Sequence, residues 1–297
     1  MDVQNPMNAE QISRILLHKE TADCFLFCTK NPLPMMRSRY SGGEAGNCLD
    51  RLDGFGVPYL FHQTLTPYDT DIESGLPPKA VLLEGFQELS KRLGSERVVW
   101  RYDPVVFANG WDIERHKAAF SHYARQLAGY THRCIVSFLM IYKKFTSETI
   151  ASLGGRISAT DRLLLARHFT EVCNKYGMRL SICCDAHDYS SLGIDQCGCI
   201  DAEVIEAVVG GPIALPKEKS LRDNCLCLPS TDIGAYDSCA NGCAYCYAVS
   251  SRQSVQRNMR LHDPNSSLLI GHLPPDKEPA VRNLPSIKVK QMQLKLL

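Results

Sequence analysis

Five short apolar runs recur along the first two-thirds of the chain, and polar residues follow each of them. The runs cover residues 23–28, 59–64, 97–102, 134–139 and 179–184. Because they contain few polar interruptions, they predict strands that are buried on both faces. The third strand is predicted to end at Asp103-Pro104.

Amphipathic stretches that predict helices lie between these runs. Apolar residues recur at helical spacing from about residue 78 to 93, and Gly94 suits the end of that helix. Asp112 can cap a second helix, and a third is predicted from about residue 160 to 176. Strands and helices therefore alternate along this part of the chain.

This alternation predicts an α/β fold with a parallel sheet, a TIM-barrel-like β/α barrel that is either complete or incomplete. A doubly wound open sheet is the alternative, but no Gly-x-Gly-x-x-Gly follows the first strand, so a dinucleotide site has no support. The regularity fades after about residue 185. We therefore predict a barrel-like domain over residues 1–220 and a cysteine-rich segment with an extended tail, packed on the barrel, over residues 221–297.

Composition and charge narrow the choice of partners and of compartment. The chain is 44% hydrophobic and 22% charged, and its 33 basic and 32 acidic residues give a formal net charge of +1. Bulk charge therefore favours neither nucleic acid nor a membrane surface as a partner. The first ten residues lack the layout of a signal peptide and no apolar run is long enough to span a bilayer, so we expect a cytoplasmic protein.

Fourteen cysteines are many for a chain of 297 residues. In a reducing compartment, clustered cysteines more often hold metal or carry out redox chemistry than form disulfides. Cys24, Cys28, Cys134 and Cys173 lie in apolar stretches, where cysteine behaves as a small hydrophobe. We assign these four to core packing.

The most informative segment contains Cys239, Cys243 and Cys246. Three thiolates at this spacing can bind one [4Fe–4S] cluster when a tight loop turns each sulfur toward a different iron, and Gly242 permits such a loop. Three ligands for four irons leave one iron free to bind another molecule. The segment therefore predicts an iron–sulfur site.

Other cysteines leave two questions open. Zinc is an alternative to the cluster, because it binds closely spaced cysteines as readily and Cys225 or Cys227 could complete its four ligands. A second metal site is predicted as an alternative to scattered reduced thiols. Its ligands would be Cys184, Cys199, Cys225 and Cys227, with Cys197 as a further candidate.

Residues 239–246 resemble the signature of radical S-adenosylmethionine (SAM) enzymes, and the string from Gly242 to Ala248 is similar to the corresponding loop of spore photoproduct lyase. The resemblance implies a cluster whose free iron binds SAM, with Tyr245 and Gly242 beside the cofactor and a flavodoxin or ferredoxin as electron donor. Such enzymes generally carry the signature after their first strand. Here only about fifty residues follow Cys246, so the loop is expected to fold back over the C-terminal ends of the strands.

Polar residues at the ends of the predicted strands are candidates for the rest of the site, because loops at that edge carry function in β/α barrels. We assign Arg101, Asp103 and Lys30 to catalysis and Asn31 and Thr64 to cofactor binding. Arg101 could clamp a carboxylate of SAM or of a substrate, and Asp103 could hold that arginine or a ribose. A structural ion pair that tethers a loop explains Arg101 and Asp103 equally well.

The order of these motifs resembles a bacterial family named domain of unknown function 1848. The segments that carry the resemblance are residues 27–32, 63–68, 99–104, 137–142, 199–201, 232–236, 239–246, 263–266 and 268–271. The resemblance implies a radical-SAM-like cluster near the C-terminus without specifying a reaction. Members of the family open with a further strand bearing a Ser-Arg-Arg-Thr-Asp-like stretch, and this chain is expected to begin after that strand, near residues 5–6.

Together these observations predict a radical-SAM-type iron–sulfur enzyme that acts on a small molecule or a nucleotide. The alternative is an iron–sulfur or zinc protein in which the metal has a structural or electron-transfer role without SAM chemistry.

Overall fold

The computed structural model describes residues 22–37, 47–194, 198–214, 224–263, 266, 268–277 and 286–289. Its centre is a five-stranded sheet made of β1 (Phe25–Thr29), β2 (Tyr59–Thr64), β3 (Val98–Val105), β4 (Arg133–Phe138) and β5 (Arg179–Ile182). All neighbouring strands are parallel, and they follow one another in chain order. The prediction of a parallel α/β sheet is confirmed. The order differs from that of a doubly wound sheet, in which the strand order reverses.

The sheet is open within the described residues, where β1 and β5 form its two edges. Consecutive parallel order is compatible with part of a β/α barrel, and closure of a barrel stays a prediction. The predicted domain boundary at residues 220–221 and the expected start near residues 5–6 lie outside the described residues.

Four of the strand predictions agree with the structure within two residues at each end, and the third was wrong at its end. β3 continues through Asp103-Pro104 to Val105. Its register against β4 shifts between Tyr102 and Val105. This irregularity accommodates the proline, which has no amide hydrogen to donate to the ladder.

The described residues contain eight α-helices. They are α1 (Leu33–Arg37), α2 (Cys48–Phe55), α3 (Lys79–Leu93), α4 (Ile113–Leu127), α5 (Ser147–Ser152), α6 (Ala159–Lys175), α7 (Ala202–Val209) and α8 (Arg252–Arg260). Helices α3, α4 and α6 confirm the predicted ones, and the other five were missed. The Asp112 side chain caps α4, and the Gly94 amide donates to the Ser90 carbonyl at the end of α3. No helix in this part of the chain is long and apolar enough to cross a membrane.

Both faces of the sheet are covered, as a buried parallel sheet requires. Phe61 and Trp100 belong to the main core, in which Phe120 of α4 stacks on Phe169 of α6 with 4.0 Å between ring centroids. Leu60 lies on the opposite face and packs against α7. Helix α7 therefore covers the face of the sheet opposite the main core.

The cysteines assigned to packing divide into two pairs. Cys134 and Cys173 are fully buried in the main core, as predicted. Cys24 and Cys28 are half-buried, and Cys24 packs on the opposite face of the sheet.

His116 of α4 is fully buried and holds the chain just beyond β3. Its Nε2 donates to the Val106 carbonyl at 3.0 Å, and its Nδ1 accepts from the Tyr102 hydroxyl at 2.8 Å. Burial lowers the pKa of His116 from 6.5 to about 4. The pKa of His116 is lower in the folded protein than in the unfolded one. The contribution of the neutral ring to the stability of the fold is therefore complete above pH 6.5 and is lost as the pH falls toward 4.

As the pH is lowered from 6.5 to 4, we expect the free energy of unfolding to decrease more steeply in the wild type than in His116→Gln. The two slopes should differ by up to about 1.4 kcal/mol per pH unit. Glutamine occupies the site but does not titrate in this range. Urea denaturation at several pH values measures the difference. Parallel curves for the two proteins would contradict the assignment to His116.

Candidate functional site

The C-terminal edge of the sheet brings together side chains that are far apart in sequence. Parallel strands all end at the same edge, so Lys30 after β1, Thr64 at the end of β2 and Asp103 in β3 lie on one side of the molecule. Thr64 pairs in register with Arg101 of the neighbouring strand. The candidates chosen from strand ends therefore share an edge.

Arg101, Asp103 and Ser137 form a connected polar group at this edge. Arg101 Nη2 pairs with one carboxylate oxygen of Asp103, and the Ser137 hydroxyl donates to the other. Burial lowers the pKa of Arg101, but the Asp103 carboxylate and nearby thiols outweigh burial and raise it well above its usual value. The structural ion pair is thus observed, while clamping of a ligand carboxylate stays a prediction.

Glu73 is the centre of a second, buried network, and sequence analysis missed it. This residue is 2% exposed and accepts hydrogen bonds from Lys30 Nζ at 2.9 Å and from the Thr66 hydroxyl at 2.7 Å. Lys79 and the Tyr245 hydroxyl donate to the same carboxylate. One carboxylate therefore joins the edge of the sheet to the cysteine segment.

The electrostatics of this network keep Glu73 ionised. Burial raises the pKa of its carboxyl group, but the positive charges of Lys30 and Lys79, together with hydrogen bonds from Lys79 and Tyr245, outweigh burial and lower it to about 2. Burial lowers the pKa of Lys30, and the charge of Glu73 more than compensates, so the net direction is upward. Lys30 is therefore held as an ammonium ion against a protein carboxylate.

The segment 239–246, called the cysteine loop below, lies against the segment that follows β2. The Gly75 amide donates to the Asn241 carbonyl at 2.7 Å, and the Ala244 amide donates to the Ile72 carbonyl at 2.9 Å. Glu73 and Cys243 form an isolated antiparallel bridge between these contacts. The loop is therefore anchored chiefly by main-chain hydrogen bonds.

Gly242 has a specific structural role in the cysteine loop. Its φ is +64°, in the left-handed region that favours glycine, and a Cβ there would collide with Ser74 Oγ. Ser74 Oγ instead donates to the Gly242 carbonyl at 3.3 Å. Gly242 thus shapes the loop, and its contact with a cofactor stays a prediction.

Cys239, Cys243 and Cys246 are half-buried in this loop. Among the described residues, their sulfur atoms do not all lie within 4.8 Å of one another, whereas those of another set of three cysteines do. Ligands of one tetrahedral ion lie roughly 3.8 Å apart, given metal–sulfur bonds of about 2.3 Å. Thiolates of a cubane bind different irons and are held farther apart. The choice between a single ion and a cluster in the cysteine loop stays a prediction.

The remaining cofactor candidates have local structural contacts. The Asn31 side chain accepts from the Leu33 amide at 3.1 Å and so caps the start of α1. Tyr245 is 8% exposed and packs edge-on against Tyr68 with 6.2 Å between ring centroids. Contact of Asn31, Thr64 or Tyr245 with a cofactor stays a prediction.

A second group of thiols is the three-cysteine set mentioned above, Cys183, Cys199 and Cys227, called the triad below. Their sulfur atoms all lie within 4.8 Å of one another. Cys199 Sγ and Cys227 Sγ are 3.1 Å apart, and the Cys199 amide also donates to Cys227 Sγ at 3.1 Å. Hydrogen bonds from Cys183 and Cys227, with a further contribution from Arg101, lower the pKa of the Cys199 thiol. This triad could hold a metal ion.

Sequence analysis selected two of the three triad residues. Cys199 and Cys227 come together as ligands of one candidate site, whereas Cys184 and Cys225 are not part of that group. Cys183 takes the third place, and Cys197 lies outside the described residues. The signal for Cys183 was its position at the end of β5, directly beside Cys184.

Two nitrogen atoms near the triad are buried without a hydrogen-bond partner among the described residues. They are Nδ1 of His62, on β2, and Nε of Arg101. His62 is 1% exposed, and burial lowers its pKa to about 3, so the ring is neutral. Both side chains lie close enough to Cys199 to shift its pKa.

Comparison with known proteins gives one matching family and one weak structural match. The family described as Domain of unknown function (DUF1848) matches residues 1–248. No curated protein matches the chain. A crystal structure of a candidate fructose-1,6-biphosphate aldolase from Coccidioides immitis is 13% identical, with a TM-score of 0.34, and covers 70% of this chain and 67% of its own.

Proposed function

Because this chain belongs to the DUF1848 family, whose description names no activity, we propose a function from the residues of the chain itself. In this proposal the protein is a radical-SAM-type iron–sulfur enzyme in which Cys239, Cys243 and Cys246 hold one [4Fe–4S] cluster. Its substrate is a small molecule or a nucleotide.

The observation that carries the proposal is the charge beneath the cysteine loop. Two partly buried ammonium groups, of Lys30 and Lys79, surround the single carboxylate of Glu73. This leaves one net positive charge close to Cys243, which is within electrostatic range of both lysines. A cluster bound by three thiolates is anionic, and a positive charge in a partly buried site stabilises it.

The donor set of the loop fits such a cluster. It offers three thiols on one short segment that main-chain hydrogen bonds anchor. Three ligands leave one iron open, which is the position that binds SAM in radical-SAM enzymes. When bound, the cluster supplies the electron that cleaves SAM, and a reduced flavodoxin or ferredoxin would deliver that electron.

The residues of the sheet edge would orient the bound molecules. Arg101 and Asp103 would hold the carboxylate and the ribose of SAM, since guanidinium forks and carboxylates suit those groups. Lys30 and Tyr245 would not contact the substrate as nucleophiles, because both are bound to Glu73. Their task is to fix the loop.

The proposal is tested by purification without oxygen of the wild type and of the variant Cys239→Ala/Cys243→Ala/Cys246→Ala, called the loop variant below. We expect about four irons and four sulfides per chain in the wild type and loss of both from the loop variant. Cys24→Ala is the matched control, because Cys24 lies at the opposite end of β1. Retention of the full cluster by the loop variant would contradict the assignment of Cys239, Cys243 and Cys246 as its ligands.

A second candidate function is an iron–sulfur or zinc protein without SAM chemistry. The triad favours it, because three thiols gathered within 4.8 Å suit a structural ion. Electron paramagnetic resonance of the reduced cluster separates the two functions. A spectrum that changes on addition of SAM supports the enzyme, and one that SAM leaves unchanged supports the second candidate.

A further inference from the structure

We propose that Cys183, Cys199 and Cys227 bind one zinc ion in a site separate from the cysteine loop. The two sites use different segments of the chain. The loop lies on residues 72–75 after β2, whereas the triad joins the end of β5 to residues 198–200 and 227–228. The proposal therefore does not depend on the identity of the metal in the loop.

The spacing of the sulfur atoms favours one ion over a cluster. All three lie within 4.8 Å of one another, and Cys199 and Cys227 are 3.1 Å apart. Tetrahedral zinc with bonds of about 2.3 Å holds its sulfur ligands roughly 3.8 Å apart, so small side-chain adjustments complete the site. Thiolate ligands select soft or borderline metals. Among these, zinc is not redox-active and so does not oxidise its thiolate ligands.

A disulfide explains less of the arrangement. It would join two of the three sulfur atoms and leave the third without a role. The backbone instead joins the segments of Cys199 and Cys227, since the Leu228 amide donates to the Ile200 carbonyl at 2.9 Å. Gly198 lies so close to Cys227 that a Cβ would collide with the main chain. The positions of Cys199 and Cys227 are thus set by main-chain packing.

The charges around the triad suit a zinc–thiolate centre. Three thiolates and one divalent ion carry a net charge of −1, and the partly buried guanidinium of Arg101 is within electrostatic range of Cys183 and Cys199. The Nε of Arg101 has no hydrogen-bond partner in the described part of the chain, and a thiolate accepts from such a donor. Cys199 and Cys227 are half-buried, and three thiolates leave the fourth position of a tetrahedral ion for water or a small ligand.

The loop variant provides the test, because it lacks the three cysteines of the loop and keeps the triad as its candidate metal site among the described residues. After purification in zinc-containing medium, we expect about one zinc per chain by elemental analysis, lost in the further variants Cys199→Ala and Cys227→Ala and kept in Cys24→Ala. Cobalt exchanged for zinc is expected to give the ligand-field bands of a tetrahedral site and sulfur-to-cobalt charge-transfer bands. The cobalt spectrum needs no change in the triad and so remains informative if the alanine variants fold poorly.

Two results would overturn the proposal. Iron with sulfide in the loop variant would mean a second cluster instead of one ion. If the protein holds no metal and two of its thiols react with an alkylating agent only after a reductant is added, the triad contains a disulfide. Failure of the loop to bind iron in the wild type would leave each of these readouts unchanged.

Discussion

Replacing Glu73 with alanine is expected to lower the free energy of unfolding by about 3–5 kcal/mol, because breaking a buried ion pair from one side leaves the other charges uncompensated. In this protein two ammonium groups lose their partner at once. The side chains of Lys30 and Lys79 are only 13% and 21% exposed, so water cannot replace the carboxylate fully. Urea denaturation at neutral pH, followed by circular dichroism, measures the change.

Glu88→Ala is the matched control for this prediction. Glu88 pairs with Arg37 on the surface, and both side chains are about half exposed. Exposed ion pairs contribute about 0–1 kcal/mol, so this variant should unfold nearly as the wild type does. A Glu73 variant no less stable than Glu88→Ala would show that the network is solvated and does not stabilise the fold.

Replacing Gly75 with alanine is expected to displace the cysteine loop and to weaken iron binding roughly 10–100-fold, the range typical when the support of metal ligands is removed. The new Cβ would lie 2.6 Å from the Ala240 carbonyl oxygen and 2.8 Å from that of Asn241. These atoms belong to the main chain of the loop, so a side-chain rotation cannot relieve the contact. The same substitution also strains the hydrogen bond from the Gly75 amide to Asn241.

Iron content after anaerobic reconstitution at increasing iron and sulfide concentrations measures the effect. Gly54→Ala serves as the control, because Gly54 lies in helix α2 and a Cβ added there would meet no atom of the described residues within 4 Å. Alanine is favoured over glycine inside a helix, so this variant should keep its iron and its stability. Equal iron binding by the two variants would mean that the loop does not need its contact with residue 75.

The strands and the long helices followed from the sequence because their signal is local. Buried parallel strands are continuously apolar, and helix α3 repeats its apolar residues over fifteen positions. Helices α2 and α7 have only eight residues each, too few to establish a period. Their capping residues, Asn47 and Asp201, were visible in the sequence but also suit turns.

The candidate site was predictable in its residue types and less so in its partners. Lys30 and Arg101 were found because they follow or end apolar runs, and the cysteine loop because of its spacing. Glu73 was missed because it lies in a connection, 43 residues from Lys30 and 172 from Tyr245, and only the path of the chain brings them together. Cys183 and Cys184 are neighbours, and which thiol joins the triad depends on the direction of each side chain at the end of β5.

The anchoring of the cysteine loop through its main chain has a practical consequence for spectroscopy. Ala244 contributes its amide to the contact with Ile72, while its side chain is exposed. The bond does not use the methyl group, so residue 244 can carry a reporter side chain, such as a fluorophore or a spin label, adjacent to Cys243. A spin label at residue 244 would report on a metal ion bound at the proposed site from one residue away, and the amide hydrogen bond to Ile72 would remain.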